Sequence, residues 1–124
     1  MATYTESNKV SDIVRWEQDK AYSREEVTIA SGQNLAIGTV LGKVTSSGEY
    51  TQINFSATDG SEDAAGILLG DVDASSGAVQ GVALVRDSIV ITTDLVWPSG
   101  ATEAQKNQAL AQLKELGIVT RPAA

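Results

Sequence analysis

Between Glu26 and Pro98 the chain offers apolar runs of only a few residues, each closed off by a cluster of Gly, Ser, Asn or Asp. That pattern leaves little room for helices and points to short strands joined by tight turns. Val27 and Ile29 alternate with Thr28 and Ala30, which reads as a half-buried strand. Ser31-Gly32-Gln33-Asn34 is a turn cluster, and Leu35 to Val44 gives strand residues broken by Gly38 and Gly42. Ser46-Ser47-Gly48-Glu49 is a hairpin turn that leads back into a strand from Tyr50 to Phe55. Thr58 to Asp63 reads as an exposed acidic loop, Ala64 to Leu69 as a buried strand, and Asp71 to Gly77 as a polar turn. Val79 to Thr93 holds one or two strands, and Leu95-Val96-Trp97-Pro98 ends the strand section. Proline holds the residue before it extended, so a regular element stops there.

One helix is expected, and it comes late. Thr102-Glu103-Ala104-Gln105 matches a capping box with Thr102 as N-cap and Gln105 at N3. Ala109, Leu110, Leu113 and Leu116 recur at three-to-four spacing and form its expected inward stripe. Gly117 stands where a terminating glycine belongs, and Ile118-Val119 can pair as an edge strand beyond it.

At 124 residues the chain is one domain long. A domain of that size buries roughly two-thirds of the surface its unfolded chain would expose. It has no cysteine and no histidine, which removes disulfides, thiolate zinc sites, thiol catalysis and imidazole acid–base chemistry. Its hydroxyl side chains have no base to activate them. Glu25-Glu26 and Glu62-Asp63 are adjacent acids that point different ways, as on a solvated face. Asp71 to Gly77 faintly resembles a calcium loop, but the twelfth position is Val82 where a bidentate Glu is needed, so it reads as an Asx turn. No enzyme, metal or cofactor is expected. The net charge is −7 and the nine basic residues are scattered, which argues against nucleic acid and against anionic membranes. No apolar run approaches a membrane span, and Met1 to Val10 lacks the apolar core of a signal peptide.

Residues 1–22 differ from the rest: they are polar and charged, with isolated apolar residues at Tyr4, Val10, Ile13, Val14, Trp16 and Tyr22 and no glycine or proline. They read as an extended arm ahead of a compact β-rich domain over residues 23–124.

The order and spacing of several segments resemble the head decoration proteins of lambda-like phages. The segments are Asp59-Gly60 followed by Asp63-Ala64-Ala65-Gly66-Ile67-Leu68, then Leu95-Val96-Trp97-Pro98, then the polar helix with Glu103 and Lys106. The run from Val27 to Val44 resembles longer members of the same family, so the likeness spans about Val27 to Val119. The resemblance implies a mainly β fold, β-clip-like and α+β in arrangement, with one short C-terminal helix and an extended N-terminal arm. It implies a non-enzymatic cementing protein, assembled in host cytoplasm, that sits as homotrimers on the exterior of an expanded icosahedral capsid. Its partner would be the major capsid protein, and it would stabilise the head against packaged DNA. The arm here is richer in charge and aromatics than the family pattern.

On that resemblance, Tyr4, Val10, Ile13, Val14, Trp16 and Tyr22 become candidate capsid-binding residues, with Trp16 either an anchor or a ring folded back on its own domain. Trp97 and Pro98 read as a core residue closing the strand section or as a trimer contact. The reading from another class is a small β-rich receptor- or glycan-binding module of a phage or bacterial surface structure. Such a module needs exposed aromatics on the compact domain, where Tyr50 and Trp97 are nearly the only candidates.

Overall fold

The computed structural model describes residues 14–17, 23–86, 88–91 and 95–121. The strands are β1 (Val14–Glu17), β2 (Arg24–Ile29), β3 (Asn34–Leu35), β4 (Val40–Lys43), β5 (Tyr50–Gln52), β6 (Ala64–Leu68), β7 (Val72–Asp73), β8 (Val79–Leu84), β9 (Ser88–Ile91) and β10 (Ile118–Arg121). The helix α1 (Glu103–Glu115) lies between β9 and β10. The described chain is therefore mainly β with one short C-terminal helix, as the sequence led us to expect.

Five strands close a barrel in the order β2-β5-β4-β6-β8. Its joins are antiparallel except that of β2 to β5, which is parallel and rests on the single pair Ile29 and Tyr50. Val27 and Ile29 point into the barrel while Thr28 is half-buried, so the alternation seen in the sequence is the inside–outside pleat of β2. Leu41, Leu68 and Ala83 fill the same interior, and a two-stranded ribbon of β3 and β7 adds Leu35 and Val72.

The barrel's other face carries a second and larger cluster. Val40, Ile67 and Leu84 pack there against Val90, Leu95, Ala109, Leu113 and Ile118. β4 and β6 are thus buried on both faces, Val40 and Ile67 on one side and Leu41 and Leu68 on the other. This is why their sequences read as continuous apolar runs and not as alternation.

The layer that covers the second cluster is a three-stranded sheet in the order β1-β9-β10, with α1 beside it. β10 runs parallel to β9, and a parallel pair needs a crossover, which α1 supplies. The capping box at Thr102 and Gln105 is formed as expected. Gly117 has φ of 88°, a left-handed turn that only glycine adopts freely, and it starts the chain into β10.

Three expectations need correction. Leu116 is 37% exposed and is not part of the inward stripe. It is the helix C-cap, and the turn at Gly117 carries the chain away so that Ile118 takes the buried place. The strand from Tyr50 stops at Gln52, because Asn54 begins a turn in which its Oδ1 accepts from Ser56 N at 3.1 Å. The supposed polar turn from Asp71 contains β7, with Val72 and Ala74 buried.

Candidate functional site

β1 falls within the segment read as an arm. It pairs antiparallel with β9 of its own chain, with Val14 opposite Val90, Trp16 opposite Ile89 and Glu17 opposite Ser88. A bulge between Val14 and Trp16 shifts the register. Val14 is half-buried against the larger cluster. The boundary expected after Tyr22 therefore does not divide arm from globule, since part of 1–22 belongs to the sheet. For Trp16 the structure describes the backbone, whereas Tyr4, Val10, Ile13 and Tyr22 lie outside the described residues.

The sheet has two outer strands, β1 and β10, each paired on one side only among the described residues. Their ends coincide. Val14, where β1 begins, is opposite Val90, and Arg121, where β10 ends, is opposite Ile91. Residues 1–13 thus join the sheet at the end from which residues 122–124 continue. With strands spaced about 4.8 Å apart, the two attachment points are separated by about 10 Å.

The Trp97-Pro98 pair has a different setting. Val96 is bridged to Thr39, donates its N–H to Gly38 O at 2.8 Å and accepts from Val40 N at 3.2 Å. These bonds fix the chain against the mouth of β4. Trp97 is half-buried and packs against the larger cluster, and Pro98 is half-buried beside it. The structure brings Val14 and Trp97 against one hydrophobic cluster.

The charged side chains are built into turns and surface pairs. Asp59 Oδ1 accepts from both the N–H (3.0 Å) and the hydroxyl (2.5 Å) of Ser61, and these bonds hold its carboxyl below the usual range. Asp73 does the same with Ser75, also at 3.0 and 2.5 Å, and is lowered for the same reason, so the faint calcium loop is an Asx turn. The Arg86 guanidinium donates to Glu25 at the surface. Tyr50 is raised chiefly by partial burial and secondarily by Glu25, with Arg86 opposing, and Lys43 Nζ lies 5.8 Å from its ring centre. Among the described residues no group of His, Cys, Asp or Glu is arranged to hold a metal ion. No described helix is long and apolar enough to cross a membrane.

Several residues that position these parts give little signal in the sequence. Gln112 of α1 accepts from Ala64 N at 2.8 Å and donates to Asp63 at 2.7 Å, which ties the helix to the acidic loop and β6. Asp71 accepts from Ile37 N at 2.8 Å, and Gln33 Oε1 accepts from Gln52 N at 3.1 Å. A polar side chain that serves one distant backbone N–H looks in sequence like any surface residue.

Against known proteins, no curated protein matches the chain. The family model described as bacteriophage lambda head decoration protein D matches residues 3–118, nearly the whole chain. With a mainly β fold and a match over that length, the chain belongs to the bacteriophage lambda head decoration protein family, a structural family of the phage virion with a role in capsid decoration.

Proposed function

We propose that the protein binds as a homotrimer to the outer surface of an expanded icosahedral capsid, contacts the major capsid protein through the segment before β1, and stabilises the shell against packaged DNA without catalysing a reaction. The observation that carries this reading is the placement of β1. It is an outer strand of its sheet, and residues 1–13 precede it directly. Thirteen residues in extended form reach about 43 Å at ~3.3 Å per residue, enough to cross to a neighbouring subunit. Within this proposal Tyr4, Val10 and Ile13 are the anchors, and Trp97 with Pro98 is the candidate contact between copies.

The energetics favour several weak tethers over one strong one. Each hydrogen bond in an added strand contributes about 0.5–1.5 kcal/mol, and ordering each residue costs about 1–2 kcal/mol. Pairing alone therefore comes out near zero. Burying an apolar anchor adds about 1.5–3 kcal/mol, and linking three arms in one trimer raises the effective concentration of each.

The test is a deletion that stops before β1. A chain lacking residues 1–13 should keep its fold and its trimeric state by analytical ultracentrifugation, and should no longer co-sediment with expanded shells. Undiminished co-sedimentation would refute the arm, and a stable dimer would refute threefold placement.

A further inference from the structure

The barrel has a seam. β2 and β5 meet only at Ile29 and Tyr50, with Ala30 N donating to Tyr50 O at 2.9 Å. Past Tyr50 the strands part, and a cleft of about 420 Å³ lies beside the segment that follows, bounded opposite by the turn leading into α1. We infer that this cleft is a binding site for a neutral carbohydrate, giving the protein a glycan-adhesion activity separate from capsid attachment.

Three polar side chains of the cleft are held by hydrogen bonds within the protein. Gln33 Oε1 is held by Gln52 N at 3.1 Å, and its amide nitrogen has no partner among the described residues. Asn54 Oδ1 is held by Ser56 N at 3.1 Å, again leaving its amide nitrogen available. Asp59 Oδ1 is taken twice by Ser61, which leaves Oδ2 as an acceptor. Gln52 also lines the cleft, and its side chain has no hydrogen-bond partner among the described residues. Gln33, Asn54 and Asp59 are thus oriented before a ligand arrives, which lowers the ordering cost of binding, while the Gln52 side chain is left to pair with the ligand.

The chemistry of the lining selects the ligand class. Sugar hydroxyls both donate and accept, and carboxamides match them in both senses. Among the described residues Asp59 is the one charged side chain in the lining, and no Lys or Arg lines it. That disfavours phosphates, nucleotides and acidic sugars. Phe55, half-buried against the larger core cluster, and Pro98 also line the cleft and contribute to its small apolar area, where the C–H face of a sugar would lie. Single-site binding of this kind is weak, and repetition over many copies would make it effective.

The experiment uses the full 15N-labelled chain, free of capsid, so its outcome does not depend on the arm. Amide spectra are recorded during titration with maltotetraose, cellotetraose, chitotetraose and the anionic control 3′-sialyllactose. At least one neutral tetrasaccharide should give saturable shifts centred on Gln33, Gln52, Asn54 and Phe55, with a millimolar Kd. Gln52→Ala should weaken that binding roughly 5–10-fold, the equivalent of one lost hydrogen bond, with an unchanged melting temperature. The inference is overturned by flat titrations with all three neutral sugars, by shifts located elsewhere, by undiminished binding of the Gln52→Ala chain, or by equal binding of the sialylated control.

Discussion

Gly42 and Gly60 hold the acidic loop against β4. A Cβ on Gly42 would overlap the backbone carbonyl of Ser61, and Ser61 is buried there. Gly60 has φ of 105° and no space for a Cβ beside Thr45 and the Lys43 carbonyl. Gly42→Ala must push backbone apart, so it should cost about 1–3 kcal/mol and lower the melting temperature by roughly 4 °C per kcal/mol. At the same scale Asp59 and Asp73 set a pH response. Both have folded values below the ordinary 3.8, so their contribution is complete above that value and is lost as the pH falls through the lower folded one. Melting temperature measured downward from pH 5 should therefore drop below about pH 4. The double variant Asp59→Asn, Asp73→Asn should show a shallower drop.

At the scale of elements, α1 was the most legible part of the sequence. Its cap, its stripe and its terminating glycine are all written within a few neighbouring residues, and all three but Leu116 stand as read. Most strands were legible as strands for the same reason. Their partners were not, because barrel closure, the parallel pairing of β10 with β9 and the pairing of β1 with β9 join residues far apart in the chain. The helix depends on such a distant link at Gln112. Gln112→Ala leaves the buried Ala64 N–H without its acceptor and should destabilise by about 1–3 kcal/mol in chemical denaturation. Thr102→Ala removes one cap bond and should cost about 1 kcal/mol. If the glutamine change were the milder of the two, Gln112 would not be the main tie between α1 and β6.

At the scale of the molecule, two cores share the walls of one barrel, and a three-stranded sheet covers the outer one. This leaves both outer strands of that sheet at the margin and brings Val14, where β1 begins, and Arg121, where β10 ends, to one end of β9. The sequence showed that residues 1–22 differ from the rest, through their polarity and lack of glycine. It could not show that Val14–Glu17 would be taken into the sheet, since four residues with one half-buried valine carry no pairing signal. The tether proposed for capsid binding is accordingly the part before β1. Hydrogen exchange on that segment, followed by mass spectrometry of the free protein and of decorated expanded shells, tests it most directly. The account predicts that amides within residues 2–13 exchange at least about tenfold more slowly on the shell, as expected for newly paired strand. Equal exchange in both states, on shells that carry the protein at full occupancy, would contradict it.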